Sequence, residues 1–281
     1  MSEQELNDCE QMLKDLLLND NIRRKEAERK LVICLSSFEN KAKLVLYCSQ
    51  LLLKTTDLGV QMYCAIIIRK VFLPSDKGDP DKLIKVIPDN EKEILKNNLL
   101  TALNSNSNKQ VRRRIADAAA VFFSTLVENE GKWDNLLQYA MNLLSADLNE
   151  QNIENVEFGL HLVSNLYSVA SDDLQKGLNV FLKNFPIYFS NNSLSLKAKT
   201  VQCLNEILCG TISKKEAKQF KDLIFNVLET TLKCFDKQDT DNLKICLDKR
   251  FIKLRTKNIK EKFPRYFYFN GKNIRKYRIR R

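Results

Sequence analysis

The chain has 281 residues, 44% of them hydrophobic, enough to bury a sizeable core in one large domain or two small ones. Seven glycines and five prolines are too few for the tight turns of a sheet-rich fold of this length, so the composition predicts helices. The formal charge of +11 is local: residues 249–281 hold 14 Lys and Arg against the single acid Glu261, leaving 32 basic and 34 acidic residues before them, a net −2.

Apolar runs such as Ala118–Phe123 fall far short of the roughly 18–20 residues that cross a bilayer, so no membrane insertion is expected. The opening MSEQELNDCE is acidic and polar, without the basic-then-apolar order of a secretory signal, and predicts a protein of the cytoplasm and nucleus. Eight cysteines, at positions 9, 34, 48, 64, 203, 209, 234 and 246, stand mostly in apolar stretches and never as Cys-x-x-Cys. They read as free, buried thiols.

In chain order, Leu6, Cys9, Leu13, Leu16 and Leu17 recur at spacings of three and four, and Ser2 with Glu5 forms a capping-box start. A second helix follows from about Asn21, with Ile22, Ala27, Leu31 and Leu35 as its buried side and Arg23, Lys25, Glu26 and Arg29 between them. The unit returns as Leu44–Leu53 and then a helix opening at Asp57 with Val60, Cys64, Ile67 and Val71 on one face. Pro74 and Pro80 predict a polar loop, and Pro88 fits the first turn of a helix whose stripe is Ile94, Leu95, Leu99 and Leu103. Its partner carries Val111, Ile115, Ala119, Phe122 and Leu126.

Next come Trp133, Leu136, Leu137, Ala140, Met141 and Leu144, then a helix from about Asn152 to Val169. A fifth pair spans about Asp172–Phe189 and Leu194–Leu208, and a sixth begins with Ala217, Phe220, Leu223, Ile224, Val227 and Leu228. Aligned at their first buried residue, the second helices start at Ile22, Val60, Val111, Val156, Leu196 and Leu243, spaced by 38, 51, 45, 40 and 47 residues. A period near 44 is that of HEAT and armadillo repeats, and it predicts an all-α, right-handed α-solenoid of about six helix pairs over residues 1–248.

Several segments carry a family likeness. LLLNDNIRRKEAERKL (Leu16–Leu31), through Asp20, Asn21, Arg24, Lys25, Ala27 and Glu28, resembles the first repeat of importin-β (karyopherin-β) nuclear transport receptors, closest to the importin beta-3 type. CAIIIRKVF (Cys64–Phe72) is similar to the family's small-apolar stretch followed by a basic pair, and VRRRIADAAAVF (Val111–Phe122) to its basic start followed by Asp and alanines. The resemblance implies a carrier that binds the GTPase Ran in its GTP form, phenylalanine-glycine nucleoporins and protein cargo. It also implies that the second helices of the first repeats form the Ran-binding end, with Arg69, Lys70, Arg112, Arg113 and Asp117 as contact candidates. The alternative reading of each, and the commoner one residue by residue, is a solvated helix face. Arg112 and Arg113, lying off the apolar stripe, are expected to be exposed. Complete receptors of this family are several times longer, and the pattern fades beyond Lys249.

No enzymatic constellation is present. Gly131-Lys132 lacks the context of a phosphate-binding loop, and the single His161 excludes a multi-histidine metal site and reads as a core or rim side chain. Asp172-Asp173 and Asp239 with Asp241 sit where helices begin, so capping explains them. No catalytic residue, cofactor or metal is expected. Residues 249–281 mix Arg and Lys with Tyr and Phe, and three readings of them stay open: the end of a longer receptor, a disordered accessory tail, or a nucleic-acid or localisation element. A HEAT scaffold without Ran, or a nucleic-acid binder acting through this tail, are the alternative functions.

Overall fold

The computed structural model describes residues 2–74, 79–145, 147–167, 174, 177–209 and 223–246, and among them every regular element is a helix. They are α1 (Glu3–Leu17), α2 (Asn21–Cys34), α3 (Phe38–Lys54), α4 (Leu58–Phe72), α5 (Pro80–Val86), α6 (Asp89–Ser105), α7 (Lys109–Glu128), α8 (Asp134–Ser145), α9 (Ile153–Leu166), α10 (Leu178–Ser190), α11 (Leu194–Cys209), α12 (Leu223–Asp236) and α13 (Thr240–Cys246). The chain divides into two compact units between Leu143 and Leu144.

In the first unit α1 packs on α2, α3 on α4 and α6 on α7. First helices stack on first helices, α1 on α3 and α3 on α6, and the most extensive contact is between the second helices α4 and α7. Helix starts follow local chemistry: Ser2 and Glu5 form the expected capping box, and Asp20, Ser37, Asp57 and Asn108 each accept backbone N–H bonds from the first turns of α2, α3, α4 and α7. Gly59 lets the first turn of α4 come against the end of α1, since a Cβ there would lie 2.9 Å from Leu17 Cδ1. Between α4 and α7 the core is aromatic, with Phe72 and Phe122 rings 4.8 Å apart and Trp133 edge-on to Phe122 at 5.8 Å. The Thr125 hydroxyl, 3.2 Å from the Val121 carbonyl of its own helix, also lies 3.5 Å from the Phe72 carbonyl across the same seam.

The second unit repeats the scheme. α10 packs on α11 and α12 on α13, while α9, α11 and α13 form the row of second helices. Tyr188 Oη and Asn184 Nδ2, both on α10, donate to the Leu144 carbonyl at 2.7 Å, satisfying an end carbonyl of α8.

The buried stripes of α4 and α7 are as the spacing predicts, and Trp133, Leu136, Ala140 and Leu144 are buried too. Several positions differ. Ile22, read as the first buried residue of its helix, is 84% exposed, and Ala27 is the only buried residue of α2. α2 packs mainly on α1 and little on α3, so no second layer covers it. Leu17, Ile94 and Leu228 are exposed, and Leu31, Leu35, Leu137, Met141 and Leu243 are half-buried. The loop expected around Pro80 contains the short helix α5: Asp79 caps it, Pro80 occupies its first turn, and Leu83 and Ile84 are buried. Pro88 is the residue before α6. Met1, Asp172, Asp173, Ala217, Phe220 and the whole segment 249–281, with the readings of the tail, lie outside the described residues.

Candidate protein-binding surface

The five nominated side chains lie on α4 and α7, which the Phe72–Phe122 seam holds together. Arg69 and Lys70 occupy the last turn of α4 and are both exposed. Cations there are favoured by the free carbonyls of the helix end, so their position needs no partner to be stable.

Arg112 is different, and the expectation that it is solvent-exposed is overturned. It is half-buried, its Nε donates to the Leu103 carbonyl at 2.8 Å, and its Nη2 donates to Tyr139 Oη at 2.8 Å. Tyr139 donates in turn to the same Leu103 carbonyl at 3.2 Å. Leu103 stands near the end of α6, where carbonyls lack intrahelical partners, so the guanidinium caps α6 and ties α8 to it. The second pair repeats this device at the same offset of nine residues. Gln61 Nε2 reaches back to the Leu52 carbonyl at 3.4 Å and the Thr55 carbonyl at 2.8 Å, closing α3, while its Oε1 accepts from Asn106 Nδ2 at 3.0 Å. The polar residue after the first buried position of a second helix is therefore an inter-repeat clasp here.

Arg113 is half-buried and Arg114, which sequence reasoning passed over, is exposed. Arg114 Nη1 lies 3.9 Å from Asp117 Oδ2, and Asp117 keeps only 22% of its side-chain exposure. The basic run at the start of α7 thus splits: Arg112 turns inward, Arg113 sits at the rim, and Arg114 faces solvent with Asp117 beside it one turn on. The signal for this was helical: successive residues differ by about 100° around the axis.

Other candidate chemistry resolves into structure. Cys9, Cys48 and Cys64 are buried in the first two pairs. Hydrogen bonding to Cys48, then burial, pushes the Cys9 thiol far up, and its bond to Cys64 does the same for Cys48, which disfavours the thiolate at both. Burial pushes the Cys203 thiol up to about 12. His161 is half-buried, with Nε2 3.3 Å from Asn165 Nδ2. Asp239 caps α13, accepting from the Asn242 N–H at 3.1 Å, and that bond holds its carboxyl below the usual range. Among the described residues no group of three or more His, Cys, Asp or Glu could hold a metal ion, and no helix is long and apolar enough to cross a membrane. A cleft of about 340 Å³ between α5, α6 and the end of α7 is lined by Lys85, Lys92 and Lys96, but Asp89 and Glu93 neutralise two of them at 2.8 and 2.7 Å.

The family model described as "IPO5-like, TPR repeats" matches residues 107–267, more than half of the chain. The chain belongs to the IPO5-like family. No curated protein matches it. Among solved structures, Kap121p bound to Nup53p is similar with a TM-score of 0.69 at 18% identity, over 91% of this chain and 23% of Kap121p. Kap121p bound to RanGTP gives 0.65 at 18%, over 90% and 22%, and the karyopherin Kap121p bound to the SUMO protease Ulp1p gives 0.68 at 18%, over 91% and 23%. These likenesses show the fold, the all-α HEAT-repeat solenoid that the repeat period predicts. The resemblance to importin-β receptors is shown at the level of the family, and this IPO5-like chain spans less than a quarter of the length of the Kap121p chains it matches.

Proposed function

We infer that the chain is an importin-β-like nuclear transport receptor, or the amino-terminal part of one, of the importin beta-3 type. Membership of the IPO5-like family carries this reading, and the fold shared with a karyopherin seen with a nucleoporin, with RanGTP and with a protease supports it. On this reading it binds Ran in the GTP form, phenylalanine-glycine nucleoporins and protein cargo, works in the cytoplasm and nucleus, and performs no catalysis. Arg69, Lys70 and Arg113 supply the contacts to Ran, because Arg69 and Lys70 are exposed in the last turn of α4 and Arg113 lies at the rim of α7. Asp117 orients Arg114 beside them at 3.9 Å.

The test is capture of Ran locked in its GTP and GDP states. Preference for the GTP form, lost in Arg69→Glu/Lys70→Glu/Arg113→Glu with the melting temperature nearly unchanged, is the expected result. Equal capture of both nucleotide states, or none, would replace the receptor by a scaffold that holds proteins without Ran.

A further inference from the structure

Each of the first four helices carries one cysteine: Cys9 on α1, Cys34 at the end of α2, Cys48 on α3 and Cys64 on α4. Three of them meet. α1, α3 and α4 pack on one another, Cys9, Cys48 and Cys64 are all buried, and the Cys48 thiol hydrogen-bonds to both of the others. All four cysteines are free. Two chemistries use adjacent thiols. A soft metal ion takes them as thiolates, which hydrogen bonding and burial oppose here, and among the described residues no group of three or more such ligands could hold a metal ion. A disulfide is neutral, so an apolar core does not oppose it.

We propose that Cys9 and Cys48 form a redox latch, in which a two-electron oxidant joins them in a disulfide that ties α1, in the first pair, to α3, in the second. Two S–H bonds break and one S–S bond forms, the oxidant takes up both protons and both electrons, and a dithiol reverses the step. Cys48 has two neighbours to pair with, and the fold chooses between them. α3 and α4 are covered on their far side by α6 and α7, whereas the contacts of α1 are with α2, α3 and α4. α1 is therefore the helix that can draw back at least cost and admit the oxidant. In the closed fold the attacking thiolate is scarce and the reaction slow. The latch closes when the first pair opens under oxidising conditions, and once closed it holds that pair against the second.

The proposal stands apart from the Ran reading. Its test uses the whole folded chain and diamide, a diazene that accepts two hydrogens and becomes a hydrazine. Peptide mapping without reductant should find the segments holding Cys9 and Cys48 joined and two hydrogens lighter than their sum, and dithiothreitol should part them. Closing a loop of about 40 residues should raise the melting temperature by about 5 °C or more and slow amide exchange in α1. Cys64→Ala, which keeps the pair, should cross-link as before, and Cys9→Ala should gain nothing from the oxidant. Oxidised and reduced wild-type protein are compared directly, so the outcome does not hang on a variant folding. Three results would each overturn the proposal: Cys9 and Cys48 joined only in urea or not at all, a bond from Cys48 to Cys64 or from Cys9 to Cys34 in their place, or a cross-linked protein that melts no higher than the reduced one.

Discussion

Helices α2 and α7 are both second helices, both open with a polar cap and a basic run, and both lie within the first unit. Ten residues of α7 are buried and one of α2. The difference is what stacks on them: α7 lies against α4, α5 and α6, while α2 leans on α1. A repeat cannot bury its own face, so the same sequence pattern becomes core where a neighbour covers it and surface where none does.

Core truncation gives the largest expected contrast. Phe122→Ala, in a side chain with no exposure that touches Phe72 and Trp133, should cost about 3–5 kcal/mol in denaturant melts. Ile22→Ala should stay within about 0.5 kcal/mol. Comparable losses at the two positions would mean that α2 is packed after all.

The clasp comes next. Arg112→Ala should cost about 1–3 kcal/mol by leaving the Leu103 carbonyl and Tyr139 hydroxyl short of partners, against about 0.5 kcal/mol or less for Arg113→Ala. Combining Arg112→Ala with Tyr139→Phe should cost less than the sum, and strict additivity would deny that they share one bracket.

Helix ends give smaller effects. α7 closes in a turn in which the Gly131 N–H returns to the Leu126 carbonyl at 2.8 Å and the Glu130 N–H to that of Val127 at 3.1 Å. Glu130 takes φ 62°, a left-handed conformation that glycine tolerates better. Glu130→Gly should stabilise by about 0.5–1 kcal/mol, and Gln238→Gly, at φ 52° in the second unit, should do the same. α2 ends at Leu35 with φ −96°, so glycine there should bring no gain.

The smallest effect is the acid response of the first pair. Glu10 accepts from Lys14 at 2.8 Å and from the Thr55 hydroxyl at 2.9 Å, tying α1 to the end of α3. The Lys14 bond, aided by that of Thr55, holds its carboxyl below the usual carboxylate range. The folded value is the lower one, so this contribution is full above the ordinary value and fades as pH falls through the folded one. Glu10→Gln should flatten the acid limb of stability slightly, and an unchanged limb would show the tie to be inert.

Much of this was legible because α4 and α7 carry strict stripes whose residues are covered on both sides. Ile22 stood at the same pattern position as Val60 and Val111 yet is exposed, because periodicity shows which side of a helix is apolar and not whether another helix covers it. α5 was hidden because Pro80 reads as a breaker, while its role in a first turn depends on the Asp79 cap and on only three or four apolar residues. Arg112 and Arg113 look alike in a run of arginines. The carbonyl nine residues back and the tyrosine of α8 that distinguish them are neighbours only after folding.

The most direct test of the account compares Arg112→Glu with Arg69→Glu/Lys70→Glu, measuring melting temperature and Ran·GTP affinity on the same samples. The account predicts that Arg112→Glu lowers the melting temperature, and that the α4 pair weakens Ran·GTP binding while leaving melting unchanged. A stable Arg112→Glu protein that has lost Ran·GTP, beside an α4 double variant that binds normally, would contradict it.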